Sequence, residues 1–379
     1  MPHLKAEVKS GAVASYGESG NPSSAQPISP GGDGRWLRRF AVTSVIATFF
    51  LIVLGGVVRV TGSGLGCGGE WPLCDGSLIP PLTKEDIIEY SHRLVASAIV
   101  GPLVAATFLI ALLKYRRVMS VLVPAAISLV LLLAQAGLGG VTVLTELPGH
   151  IVAAHMALAQ GLLACLILTA VATLYAKDSP SRVHPSRAAA EGMPDASDQE
   201  AASKYGAAGF PMLAAVAALA TYAMLLSGSY VTATPGALAA CPQWPLCGGS
   251  LLPSDTLQAI HMLHRVVAAV VGGLLLYTLY RGYRLGVTSL SSGETALMVF
   301  CALGAALFLA QVFIGAVAIW THFPVVIRAI HIGLATGVWG VIVTVALISR
   351  HLEGTDLSAS GESSSRPDMG SAAVGPETA

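Results

Sequence analysis

Eight long apolar stretches, separated by short polar segments, make up most of the chain. They lie near residues 40–60, 87–113, 118–143, 151–176, 208–232, 256–280, 295–320 and 326–349. A helix needs about 20 apolar residues to cross the hydrocarbon core of a bilayer. Because lipid offers no hydrogen-bond partner to the backbone, such stretches cross it as helices. The pattern therefore predicts an all-α, polytopic membrane protein with eight transmembrane helices.

The composition supports this class and excludes others. Of the 379 residues, 54% are hydrophobic and only 11% are charged, and the mean hydropathy is +0.70. Soluble domains contain about 25% charged residues, so a soluble globular enzyme and a disordered protein are both excluded. The 21 basic and 21 acidic residues give a formal net charge of zero. The charge therefore gives no indication of a nucleic-acid partner, and the expected surroundings are membrane lipid.

Basic residues indicate the orientation in the membrane. On one side they precede the first span and follow the second, fourth, sixth and eighth spans: Arg35, Arg38, Arg39, Lys114, Arg116, Arg117, Lys177, Arg182, Arg187, Lys204, Arg281, Arg284 and Arg350. Among Lys and Arg, the loops on the other side contain only Lys84. Cytoplasmic loops are enriched in Lys and Arg, so we expect a plasma-membrane protein with both termini in the cytoplasm.

Polar segments divide the chain into five parts. Residues 1–35 and 351–379 are rich in Gly, Ser and Pro and are expected to be disordered cytoplasmic tails. A polar linker, residues 177–207, separates two halves of four spans each. The sequence thus predicts an N-terminal four-helix bundle over 36–176 and a C-terminal one over 208–350.

The two halves repeat each other in sequence. CGGEWPLC at 67–74 resembles CPQWPLC at 241–247, and EYSHRLVA at 89–96 resembles HMLHRVVA at 261–268. AQAGLGGV from Ala134 resembles AQVFIGAV from Ala310. Because four spans separate equivalent points, the repeat is parallel. We expect two bundles related by an axis along the membrane normal.

Four histidines occupy equivalent positions inside the even-numbered spans: His92, His155, His264 and His331. Even-numbered spans all run in the same direction, so the two histidines of one half face each other at similar depth. Two opposed imidazoles are a common axial ligand set for haem iron in helical bundles. Hydrogen bonding between helices is the simpler alternative, and two histidines per half are too few for a closed zinc site. The pattern favours one haem per half.

Charged residues close to these histidines distinguish the halves. Arg93 and Arg265 directly follow a histidine and Arg328 lies one turn before another; each is predicted to bind a haem propionate, or else to extend toward lipid headgroups. Glu89 lies one turn before His92, where the second half has His261. An intramembrane carboxylate is a functional candidate, so the first half is expected to perform chemistry and the second to transfer electrons.

Two cysteine pairs, Cys67 with Cys74 and Cys241 with Cys247, flank short loops on the outer side. The outer side permits disulfides, and we expect one within each pair. A structural role for each pair and a redox-active role for the first pair both remain open. Cys165 and Cys301 lie alone in apolar spans and are expected to be packing residues.

Taken together, these motifs resemble the haem A synthase family over about residues 36–350. The resemblance implies an eight-helix enzyme that oxidises the C8 methyl of haem O to a formyl group. It implies haem b as cofactor between His264 and His331, haem O as substrate between His92 and His155, and Glu89 as an essential residue. It makes haem O synthase and cytochrome oxidase assembly factors candidate partners, and leaves a homo-oligomer open.

Three other functions are compatible with parts of the pattern. A non-catalytic dihaem b-type cytochrome explains the four histidines but not the difference between Glu89 and His261. A thiol–disulfide oxidoreductase explains the outer cysteines alone. A transporter with histidine proton relays explains the parallel repeat.

Overall fold

The computed structural model describes residues 33–74, 76–77, 83–175, 209–250, 252–287 and 292–364. Its regular structure consists of eight long helices, α1 to α8. They span Asp33–Thr61, Lys84–Lys114, Met119–Leu144, Gly149–Tyr175, Phe210–Ala233, Thr256–Val287, Ser292–Trp320 and Val325–Ser364. All eight contain a segment long and apolar enough to cross a membrane, so the predicted fold class is confirmed.

The helix ends differ from the expectation at both tails. Helix α1 begins at Asp33, and α8 continues to Ser364, although the sequence predicts a disordered tail from residue 351. No proline occurs between Pro324 and Pro367, so the backbone beyond the apolar part of α8 is free to continue as helix. The remaining tail residues, 1–32 and 365–379, and the linker around 176–208 lie outside the described residues.

Helix α2 is interrupted where its counterpart α6 is continuous. It consists of two α-helical segments, Lys84–Val95 and Gly101–Lys114, joined by the π-helical turn Ala96–Val100. Single π turns inside α-helices occur frequently at functional sites. This turn begins one helical turn after His92, so the irregularity is next to a candidate ligand of the first half.

Each half is a closed ring of four helices. In the first half α1 packs on α2, α2 on α3, α3 on α4, and α4 back on α1; the second half repeats these pairings with α5 to α8. Consequently α2 lies diagonally opposite α4, and α6 diagonally opposite α8. The two rings meet through α1, α4, α5 and α8, where the largest hydrophobic core lies.

The turns before α4 and α8 are built alike. Glu146, Leu147, His322 and Phe323 all have positive φ, and the N–H groups of Leu147 and Phe323 bond back to carbonyls five residues earlier. This is the hydrogen bond of a Schellman helix end. A proline follows each turn, so the chain stops one helix and begins the next at once. The turns therefore hold the start of α4 and of α8 at fixed positions relative to α3 and α7.

Candidate functional site

The four predicted histidines lie at matching heights in their helices. His92 and His264 each come eight residues after the first residue of α2 and α6, Lys84 and Thr256. His155 and His331 each come six residues after the first residue of α4 and α8. At 1.5 Å per residue, all four are about 9–12 Å along the helix from its first residue.

The histidines form two pairs. His92 and His155 come from diagonally opposite helices of the first ring, and their imidazoles are close enough to interact electrostatically. His264 and His331 have the same relationship in the second ring. The structure therefore brings together the side chains that the sequence pairs, one pair inside each half.

Each imidazole packs against a glycine of the preceding helix. A Cβ built on Gly55 would lie 3.0 Å from Cε1 of His92, and one built on Gly139 would lie 3.2 Å from Cε1 of His155. In the second half, a Cβ on Gly228 would lie 2.9 Å from Cε1 of His264, and one on Gly315 would lie 3.0 Å from Cε1 of His331. Such distances are shorter than ordinary van der Waals contact. An alanine at any of these four positions would press on the ring, so glycine permits each imidazole to approach the preceding helix closely.

The hydrogen bonding of the rings differs between sites. The Nδ1 atom of His264 lies 2.8 Å from the Ser227 hydroxyl oxygen. The Nδ1 atoms of His92, His155 and His331 are buried and have no hydrogen-bond partner in the described part of the chain. Buried polar atoms normally find partners, so three rings have unused hydrogen-bonding capacity.

Two equivalent glutamines lie beside the second histidine of each pair. The Gln135 amide donates to the backbone carbonyl of His155 at 3.0 Å. The Gln311 amide nitrogen instead lies 3.2 Å from Nε2 of His331. For His331 to bind a metal through Nε2, Gln311 must rotate away, and Gln135 indicates the backbone carbonyl as its alternative acceptor.

These observations fit axial ligation of haem. Two neutral imidazoles per site are a suitable donor set, and each ring is seated against a glycine of the neighbouring helix. Diagonal helices supply the ligands, so a planar group between them would be enclosed by all four helices of a ring. The residues present therefore fit one haem in each half.

Glu89 is buried and hydrogen-bonded on both carboxylate oxygens. Oε2 accepts from the backbone N–H of Cys67 at 2.9 Å, and Oε1 accepts from the Arg93 guanidinium. The carboxylate thus connects the disulfide loop that precedes α2 to α2 itself, one turn before His92. Its equivalent His261 uses Nδ1 to bond the carbonyl of Ala237 at 3.0 Å.

Arg93 and Arg265 are tied to the outer loops of their own halves. Arg93 donates to the carbonyls of Glu70 and Leu73 at 3.2 and 2.9 Å. Arg265 donates to those of Gln243 and Cys241 at 2.7 and 3.0 Å, while its Nε is buried and unpartnered. The loop carbonyls are partners that the sequence did not reveal; the predicted propionate contacts stay predictions.

Arg328 lies between the two halves. Its guanidinium donates to the carbonyl of Val60 at the end of α1, at 3.3 Å. Arg59 nearby donates to the carbonyl of Thr232 at the end of α5, at 3.1 Å. Both arginines thus bond to carbonyls at helix C-termini, which attract cations. Neither forms an ion pair with a described carboxylate.

Both outer cysteine pairs form disulfides, as predicted: Cys67 with Cys74 and Cys241 with Cys247. All four sulfur-bearing residues are buried. Each disulfide closes the loop whose carbonyls bind the arginine of the same half. Cys165 and Cys301 are free thiols within spans, in agreement with packing roles.

Comparison with known proteins decides the family. The profile of COX15-CtaA, described as cytochrome oxidase assembly protein, matches residues 38–343. This chain belongs to that family. A Bacillus licheniformis protein named heme A synthase is 31% identical over 239 residues, which cover 62% of this chain and 72% of that protein. A heme A synthase of Symbiobacterium thermophilum is 29% identical over 308 residues, covering 81% of this chain and 93% of that protein.

Sequence reasoning about this COX15-CtaA protein overlooked six residues at or near the site. They are the four glycines behind the histidines, the hydroxyl next to His264 and the arginine at the end of α1: Gly55, Gly139, Gly228, Gly315, Ser227 and Arg59. Gly139 and Gly315 lie within the repeated segments AQAGLGGV and AQVFIGAV, so a search for glycines shared by both halves would have found these two. The Ser227 contact could not be found from the repeat, because the equivalent residue of the first half is not a serine but Leu54.

Proposed function

We propose that this protein is a haem A synthase, a membrane oxidoreductase that converts the C8 methyl group of haem O into a formyl group. The observation that supports this most directly is the presence of two histidine pairs on diagonal helices, with every ring against a glycine. The relatives named heme A synthase support the same activity. Two hydroxylations of the methyl group followed by loss of water account for the product.

We assign the substrate to the first half. His92 and His155 would hold the iron of haem O, in the N-terminal bundle, residues 36–176. This half alone has a carboxylate, Glu89, one turn from a ligand, and a π turn directly after that ligand segment. The enclosing helices would exclude water and competing oxidants from the reacting edge of the substrate.

Haem b is assigned to the second half, between His264 and His331 in the C-terminal bundle, residues 208–350. Bound there, it would supply reversible one-electron chemistry. The residues of this half would hold and orient it, and His261 occupies the position of the first half's carboxylate. Electrons would then reach the substrate site from the second half.

Glu89 is assigned a direct part in the reaction, either in moving protons or in stabilising positive charge that develops near the methyl carbon. Its carboxylate is buried and bonded to Arg93 and Cys67. The Arg93 guanidinium gives this carboxylate a charge-assisted hydrogen-bond partner.

The arginines would bind haem propionates from the outer side. Arg265 has a buried Nε–H without a partner, and Arg93 and Arg328 lie nine and three residues after the first residues of α2 and α8. Carboxylates accept such hydrogen bonds well. With both termini in the cytoplasm, this arrangement would put both haem sites near the outer leaflet of the plasma membrane. Haem O synthase and cytochrome oxidase assembly factors are the proposed partners.

The decisive experiment is reversed-phase separation of the haems extracted from the purified protein after expression with a haem O supply. We expect haem B together with haem A or its hydroxymethyl precursor. Recovery of unmodified haem O without any oxidised product would instead favour a dihaem cytochrome. Absence of all haem, and of a Soret band, would favour a thiol oxidoreductase or a transporter.

A further inference from the structure

The hydroxyl group of Ser227 fixes the protonation pattern of His264. It donates to the carbonyl of Met224 at 2.7 Å and lies 2.8 Å from Nδ1 of His264. A hydroxyl has a single hydrogen, so with that hydrogen on Met224 it must accept at its other contact. The proton of the neutral His264 ring is then on Nδ1, and the Nε2 lone pair is free for a metal.

The first half has no hydroxyl group at the equivalent position. Ser227 directly precedes Gly228, which touches His264, whereas Leu54 directly precedes Gly55, which touches His92. Leucine offers no acceptor, and Nδ1 of His92 is unpartnered. The other ligand of each pair, His155 or His331, also has an unpartnered Nδ1. At Nδ1, therefore, the two pairs differ only in the ligands on α2 and α6.

We infer that Ser227 is a positioning residue that lets the second half retain its haem. With Leu54 at the equivalent position, the first half holds its haem less tightly and can exchange it. This rests on the proposed function, which makes haem the bound group. A hydrogen bond accepted from the second ring nitrogen orients a ligating histidine and raises its basicity, and loss of such a partner costs about 10–100-fold in metal affinity. A resident cofactor needs this support, whereas a substrate must leave once it is oxidised.

The test follows haem transfer from the full-length holoprotein to excess apomyoglobin, with the transferred haem identified by reversed-phase chromatography. Haem B reports on the second half and haem O or haem A on the first. For the wild type we expect the first-half haem to transfer faster. Ser227→Ala should speed haem B release by about 10-fold or more and raise the midpoint potential of the haem b, because a less basic ligand stabilises ferric iron less.

Two further variants separate the hydroxyl effect from general damage. Ser227→Thr retains the hydroxyl and should release haem B at nearly the wild-type rate. Ser229→Ala removes a hydroxyl two residues away on the same helix, and should leave both rate and potential unchanged. Leu54→Ser introduces the acceptor beside His92 and should slow transfer of the first-half haem.

The outcomes distinguish this inference from the proposed function. If Ser227→Ala retains haem B as long as the wild type, at the same potential, Ser227 does not support the ligand, although haem binding and catalysis stand. If the wild type holds no haem, the proposed function itself fails. An equal effect of Ser227→Ala and Ser229→Ala would also overturn the inference, because it would indicate loosening of the helix.

Discussion

Gln160 donates a hydrogen bond to Thr336 across the boundary between the two halves, Nε2 to Oγ1, at 3.0 Å. The two residues are equivalent in the repeat, since each comes five positions after a candidate ligand, His155 or His331. Contacts between equivalent positions are expected where a two-fold axis passes. The bond therefore supports the proposed relation of the halves by an axis along the membrane normal, between α4 and α8.

This bond is expected to stabilise the association of the two halves without affecting haem binding. Gln160→Leu and Thr336→Val should each lower stability, and their coupling in a double-mutant cycle should be about 0.6 kcal/mol, the average for bonds between membrane helices. Unfolding in denaturing detergent measures it. The Trp339 indole N–H donates to the backbone carbonyl of Gln160, so substitution of the Gln160 side chain leaves this second hydrogen bond in place. Loss of haem from Gln160→Leu would instead mean that the network supports a haem site.

Removal of either ligand of the second half should abolish the tightly held haem b. Both variants, His264→Ala and His331→Ala, are expected to insert normally into the membrane. They should lose most of the b-type absorbance, because the single remaining axial imidazole holds the haem too weakly. Optical spectra at equal protein concentration measure this. His322→Asn changes an exposed histidine at the turn before α8 and should retain the haem. Wild-type haem content in either alanine variant would contradict the assignment.

Two glycines of α3, one beside a histidine ring and one in open space, provide a matched pair of substitutions. Gly139→Ala would put a methyl group 3.2 Å from Cε1 of His155, whereas a Cβ at Gly137, two residues earlier, meets no atom within 4 Å. We expect Gly139→Ala to displace the ring and strongly reduce oxidised haem product. Gly137→Ala should retain activity, since alanine is favoured over glycine within helices. Equal activity in both variants would show that contact with Gly139 does not position His155.

Glu89 should be needed for oxidation and not for haem b binding. Glu89→Ala is expected to retain the second-half haem yet to yield no formyl product, measured by reversed-phase chromatography of extracted haems. Glu70→Ala is the control, because Glu70 is an exposed carboxylate of the same disulfide loop, and among the described residues it bonds only the N–H of Gly76. Wild-type turnover of Glu89→Ala would remove its catalytic assignment.

A second reading of Glu89 is purely structural, since it bonds Cys67 and Arg93. Glu89→Gln distinguishes the two, because its amide can still accept from the Cys67 N–H while the charge is lost. A variant that keeps its thermal stability but makes no product indicates a role for the charge. One that loses stability and product together indicates that Glu89 acts by holding the outer loop.

The sequence anticipated the helices and the histidine pairs for definite physical reasons. Lipid requires continuous apolar helices, so α1 to α8 are visible as stretches of composition. His92, His155, His264 and His331 stand out because polar residues are rare in such stretches and the repeat aligns them. The continuation of α8 to Ser364 was not visible, because polar residues can be helical or not.

By itself, therefore, the sequence determined which segments cross the membrane, the repeat, and the residue types able to bind haem, because each follows from local composition or spacing. Only the tertiary structure decided what those residues touch. Glu89 and Arg93 bond to the disulfide loop, Gly55 faces His92, and Ser227 faces His264. Such contacts join different elements, and they depend on how helices rotate and pack, which no local pattern specifies.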